Sequence, residues 1–197
     1  MNDQKFMRGF PPIYSSAPPP HGAEWLAKFH EVAPKIEGGA ILIFCGERGT
    51  GKTRMAYELA KDCRFVKLPP MRQTIAGHEM TVNRKAIYTT AMMLFIRLRA
   101  SYRNNSPESE LDIMRELSDA SLVVIDELQE RGETEFENQK ITAILDARYQ
   151  RGFPTILISN LARADFLKSV SPSVLSRIQE NGGFVAFNWK SYRGANQ

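Results

Sequence analysis

Gly46-Glu47-Arg48-Gly49-Thr50-Gly51-Lys52-Thr53 directly follows the apolar run Ile41-Leu42-Ile43-Phe44-Cys45, and its spacing is that of a P-loop, G-x-x-x-x-G-K-[ST]. Three glycines relieve the steric limits on φ, so successive backbone N–H groups can turn inward and make an anion site at the start of a helix. In that setting Lys52 is expected to reach the β- and γ-phosphates of a nucleotide, and the Thr53 hydroxyl to ligate Mg²⁺. The predicted nucleotide-binding set is Gly46, Glu47, Arg48, Gly49, Thr50, Gly51, Lys52 and Thr53, with Arg54 beside them.

Outward from the loop, apolar periodicity alternates between strand-like and helix-like runs. Upstream, Trp25, Leu26, Phe29 and Val32 recur at helical spacing before Pro34 and the turn Glu37-Gly38-Gly39. Downstream, Met55, Ala56, Leu59, Ala60 and Cys63 continue a helical stripe. Ala86 to Thr89 reads as a buried strand and Thr90 as an N-cap. Met92, Met93, Phe95, Ile96 and Leu98 are read as the core stripe of the helix that follows. Ser106-Pro107 is expected to open a helix carrying Leu111, Met114 and Leu117. Leu122 to Ile125 has the continuous β-branched character of a parallel strand covered on both faces.

Thr134-x-x-Glu137 reads as a capping box before Ile141, Ile144 and Leu145. Thr155 to Ile158 is another buried strand, Ser171-Pro172 begins a short helix, and Asn181-Gly182-Gly183 turns into a final strand, Phe184 to Phe187. Strands alternating with helices predict an α/β fold, a P-loop NTPase with a mostly parallel sheet sandwiched by helices.

The 197 residues suit one well-buried domain. Residues 1–20, with five prolines, read as an extended arm; residues 21–197 read as a single domain, with an irregular insertion at 64–85 that carries Arg64, Lys67, Arg72, His78, Arg84 and Lys85. That insertion reads as a solvated loop or as a surface for DNA or a partner. Composition is ordinary, with 43% hydrophobic and 24% charged residues. No apolar stretch approaches the ~18 residues of a membrane span, so no membrane partner is expected. The N-terminus has no signal-like apolar core, which makes a cytoplasmic location the expectation. Cys45 and Cys63 read as small buried residues rather than a disulfide or metal pair. The net charge of +4 is compatible with a polyanionic partner.

In parallel sheets, ligands sit at the carboxyl ends of strands. Asp126-Glu127 ends one such run: the aspartate can hold the Mg²⁺ shell with Thr53, and the glutamate can orient an attacking water. Ser159-Asn160 ends another, where the amide could position that water. Arg177, on a short helix, reads either as a surface salt-bridge residue or as an arginine supplied to a neighbouring subunit's site. Arg193 carries the same two readings. Arg99 and Arg103, four apart on one helical face with Tyr102 beside them, make a basic-aromatic patch or simply a solvated face.

These ordered landmarks resemble the AAA+ ATPases of the DnaC/DnaI helicase-loader type, with the transposition ATPase IstB related. The resemblance runs through Gly9 to Tyr14, the P-loop, Tyr88 to Ala91, Leu122 to Glu127, Ile144 to Tyr149, Pro154 to Asn160 and Phe187 to Arg193. It implies an AAA+ fold with ATP and Mg²⁺ as cofactors and an oligomer that self-associates through the ATP site. It further implies ATP hydrolysis, a replicative DNA helicase as partner and single-stranded DNA binding. Carried onto this chain, it makes Asn160 the sensor-1 residue, Arg177 the trans-acting arginine finger and Arg193 a sensor-2 or structural arginine. Such loaders usually carry an N-terminal helicase-gripping domain, whereas only residues 1–9 precede Phe10-Pro11-Pro12 here. An IstB-like ATPase serving a transposase on duplex DNA and a small P-loop kinase are the alternatives. The chain lacks an Arg-rich lid, which counts against the kinase.

Overall fold

The computed structural model describes residues 7–16, 18–19, 22–62, 71–75, 78–82 and 85–194. In chain order its elements are β1 (Met7–Arg8), α1 (Ile13–Ser16), α2 (Ala23–Glu37), β2 (Ile41–Gly46), α3 (Lys52–Asp62), β3 (Met71–Ile75), β4 (His78–Val82), β5 (Ala86–Thr90), α4 (Ala91–Ala100), α5 (Glu110–Asp119), β6 (Leu122–Asp126), α6 (Glu135–Gln150), β7 (Thr155–Ser159), α7 (Arg163–Ser169), α8 (Pro172–Glu180) and β8 (Gly182–Phe187). Short 3₁₀ turns follow β6, at Leu128–Glu130, and end the described chain, at Tyr192–Gly194.

Six strands form one parallel sheet in the order β1-β5-β6-β7-β2-β8. The α/β expectation holds, and the reason lies in the strands' composition. Leu122–Asp126 and Thr155–Ser159 are buried at every position, which requires cover on both faces. Alternate residues divide between two cores. Ile41, Ile43, Val123, Ile125 and Leu157 pack with α4, α5, α6 and α8. Leu42, Phe44, Leu122, Val124, Ile156 and Ile158 pack with α2 and α3. The P-loop strand β2 thereby lies between β7 and β8, with its carboxyl end beside theirs.

Arg148 is fully buried and staples the first of these layers. Its guanidinium donates to Thr155 Oγ1 at 2.8 Å and to the carbonyls of Leu117, Ala120 and Pro154 at 2.6, 2.9 and 2.5 Å, tying the end of α5 to the α6–β7 junction.

Several local expectations shift. On α4 the buried residues are Ala91, Leu94, Phe95 and Leu98, while Met92, Met93 and Ile96 are about half exposed. The helix is apolar nearly all round, so hydrophobicity could not choose its inner face. Helix α5 starts at Glu110 rather than at Ser106-Pro107, because Ser109 and Asp112 form a reciprocal capping box there. At α6, Thr134 Oγ1 accepts from the Glu137 amide at 3.3 Å, but the Glu137 carboxylate turns to Arg99 at 2.7 Å, so half of the predicted box forms. Thr90 caps α4 and Ser171 caps α8 as expected.

Within 64–85, β3 and β4 pair as an antiparallel hairpin; Arg64, Lys67 and Arg84 lie outside the described residues, as does Cys63. Ahead of the domain, Met7–Arg8 pairs with β5, and Phe10 packs on Tyr57 and Tyr88 at ring distances of 5.6 and 5.1 Å. No helix among the described residues is long and apolar enough to cross a membrane.

Candidate nucleotide site

The loop between β2 and α3 uses its glycines as the spacing required. Gly46, Gly49 and Gly51 have φ of 145°, 83° and 88°, a region in which side chains with a Cβ are strained. A Cβ on Gly46 would come within 2.4 Å of the Phe187 carbonyl oxygen. Lys52, nearly buried, folds its ammonium back to donate to the carbonyls of Gly46 and Glu47, both at 2.7 Å. Burial holds its pKa below the usual lysine value, against the pull of Asp126.

Across the cleft, the end of β6 supplies the acidic half. Asp126 is almost fully buried and accepts three donors: Thr53 Oγ1 at 2.7 Å, the Tyr88 hydroxyl at 2.9 Å and the Glu127 amide at 2.7 Å. Glu127 takes the left-handed conformation, φ 54° and ψ 42°, which turns the chain sharply and leaves its carboxylate exposed. Gln129 in the following turn accepts from the Asn160 amide at 3.1 Å, joining the ends of β6 and β7.

These groups surround a cavity of about 410 Å³ lined by Arg48, Lys52, Thr53, Arg54, Asp126, Glu127, Asn160 and Arg193, with Ile13 and Tyr14 on its upstream wall. The structure therefore gathers residues far apart in sequence around one cleft. Arg48 reaches Glu130 at 3.3 Å across the mouth. Arg54 is buried in an ion pair with Glu58 and lies over the rings of Tyr14 and Tyr57 at 5.8 and 5.4 Å. Arg177 does not line this cavity: it pairs with Asp146, donates to Ser173 and lies 5.9 Å over the Tyr149 ring. Helix α4 ends at Ala100, so Arg103 lies in the turn beyond it and the single helical face expected of Arg99 and Arg103 does not form; Arg99 is engaged by Glu137 and the Tyr102 hydroxyl by Glu110. Arg103 there has no ion pair among the described residues.

Sequence reasoning missed Tyr88, the phenol that holds Asp126. Its signal was positional: it stands mid-strand in β5, beside β6 and two residues short of the level of Asp126, a distance a long aromatic with a polar tip can span. Burial, then Asp126, pushes its pKa up, keeping the hydroxyl a donor. It also missed Trp25 and Trp189, whose indole N–H groups donate to the carbonyls of Gly51 and Thr50 at 3.2 and 2.9 Å.

No protein-family model matches the chain. The replicative helicase loader DnaC of Escherichia coli (strain K12) is 26% identical over 170 residues, 85% of this chain and 62% of the loader, so the chain spans less than two thirds of that relative's length. Among solved structures, the DnaC helicase loader matches with a TM-score of 0.63 at 19% identity, covering 88% of this chain and 94% of that one. The replication initiator DnaA bound to AMPPCP and single-stranded DNA matches at 0.65 and 17%, covering 92% and 51%. The likeness to the loader runs along most of this sequence, and the fold is the one seen in the DnaC and DnaA structures.

Proposed function

We propose that the chain binds ATP with Mg²⁺, hydrolyses it, and acts in DNA replication by loading or remodelling a replicative helicase on single-stranded DNA. The Thr53–Asp126 hydrogen bond, set below a glycine-curled loop that holds Lys52, carries the nucleotide half of this reading. A hydroxyl and a carboxylate side by side are hard oxygen donors, and Mg²⁺ is commonly held by one or two such protein groups together with phosphates and water. When bound, the ion would neutralise charge on the transferring phosphoryl group.

The chain's own residues have separable tasks. The loop amides and Lys52 would bind phosphate oxygens, the ammonium exchanging its two loop carbonyls for them. Glu127, exposed at the strand end, would orient the attacking water and take its proton, with Asn160 beside it. Arg193 would add positive charge from the downstream wall. Arg177, held away from its own cleft by Asp146 and Ser173, would exchange those contacts to serve the site of a neighbouring copy.

The helicase and single-stranded DNA half of the reading is supported by the named relatives. A loading assay tests it: the purified host replicative helicase, single-stranded DNA circles, ATP and Mg²⁺, with wild-type protein or Lys52→Ala. The expected result is helicase retained on the circles only with wild-type protein and ATP. No retention, or equal retention with Lys52→Ala, would overturn it.

A further inference from the structure

Turning the P-loop amides inward turns its carbonyls outward, and each outward carbonyl near the core needs a donor. Two of them, on Gly46 and Glu47, are met by Lys52, the same group that a phosphate would recruit. Thr50 Oγ1 also donates to the Glu47 carbonyl and the Met55 amide to the Gly51 carbonyl, both at 2.9 Å; three further donors come from outside the loop. Trp189 Nε1 donates to the Thr50 carbonyl at 2.9 Å and the Tyr192 amide to the Gly49 carbonyl at 2.9 Å. From the opposite side, Trp25 Nε1 donates to the Gly51 carbonyl at 3.2 Å.

The downstream segment also lies flat on the loop. A Cβ on Gly49 would meet Ser191 Oγ at 2.0 Å and Arg193 Cγ at 3.2 Å. This same segment places Arg193 on the cavity wall. Both tryptophans of the chain are thus committed to one loop. Neither is consumed when Lys52 moves to a ligand.

We infer that Trp25, Trp189 and the Tyr192 amide form a clasp that keeps the P-loop in its phosphate-binding curl and couples the loop's occupancy to Arg193. The inference rests on the nucleotide-binding reading of the cavity and deepens it: the tryptophans are positioning residues, acting through the loop backbone. Trp189 is the better probe because it is only partly buried and its ring meets that of Phe187 in a tilted contact at 5.1 Å, which phenylalanine can retain.

The test compares wild type, Trp189→Phe and Trp25→Phe by amide hydrogen exchange without nucleotide, by MgADP titration and by intrinsic fluorescence. Loss of one neutral hydrogen bond predicts P-loop amides (residues 48–53) exchanging about fivefold faster and MgADP binding about fivefold weaker, with β6 and β7 amides unchanged. In Trp25→Phe, the remaining Trp189 emission should shift on MgADP addition, and adding Lys52→Ala should abolish the shift. Unchanged loop exchange and affinity in both variants, or acceleration spread evenly through the sheet, would overturn the clasp; if Trp25→Phe does not fold, Trp189→Phe alone decides. A wild type that fails to bind MgADP while the variants still loosen the loop would leave the clasp standing and remove the nucleotide reading.

Discussion

At the residue scale, Asp126 is the hinge of the site, since one carboxylate receives Thr53, Tyr88 and the Glu127 amide. Tyr88→Phe removes one donor from a buried carboxylate and should cost about 1–3 kcal/mol, read as a lower urea midpoint with an unchanged slope. Glu127→Gln should preserve ATP binding and lower turnover by about 10² to 10⁴, the usual contribution of a positioned base, in a steady-state phosphate-release assay. Cys45, buried under the loop, has its thiol pushed up to about 11 by burial, against the opposing charges of Lys52 and Arg163. A raised acid pKa favours the neutral thiol in the folded state, so its contribution to stability is complete below pH 9.0 and is lost as pH rises to about 11. Cys45→Ala should flatten the fall in stability across that window, measured by denaturant titration at successive pH values.

At the element scale, the parts readable in sequence were those where two signals agreed. β2, β6 and β7 combined continuous apolar runs with a polar strand end, and α8 combined Ser171 with Pro172. Where only one signal spoke, the reading slipped. Helix α4 has apolar residues on every side, and only tertiary packing selects Ala91, Leu94, Phe95 and Leu98 as its inner face. The two-residue β1 is too short to show a period of two, and it exists because β5 offers an edge to pair with. The half-formed box at α6 depends on Arg99, thirty-eight residues upstream, a competitor invisible to local pattern. Thr134→Ala should still remove the surviving half and lower stability by about 1 kcal/mol, seen as a reduced Tm with the same sheet content by circular dichroism.

At the scale of the whole molecule, the sheet order sets everything else in place, because inserting β2 between β7 and β8 brings the P-loop, Asn160 and the Trp189–Arg193 segment to one edge. The cleft was legible from three strand ends, whereas its upstream wall of Ile13 and Tyr14 and its tryptophan supports were not: Ile13, Tyr14 and Trp189 come from segments whose sequence shows no strand or helix periodicity, and the periodicity of α2 marks Trp25 only as a core residue. Arg177 faces Asp146 rather than its own cleft, and if it serves a neighbour's site, mixing inactive Lys52→Ala and Arg177→Ala proteins should partly restore ATP turnover; no restoration from two folded, associating proteins would assign it to the ion pair alone. All of this depends on the cleft being a nucleotide seat, and calorimetric titration of ATP with Mg²⁺ into wild-type and Lys52→Ala protein tests that most directly. Saturable one-site binding by wild type, lost in Lys52→Ala, is the expected result; no binding by wild type, or equal binding by both, would contradict a nucleotide seat.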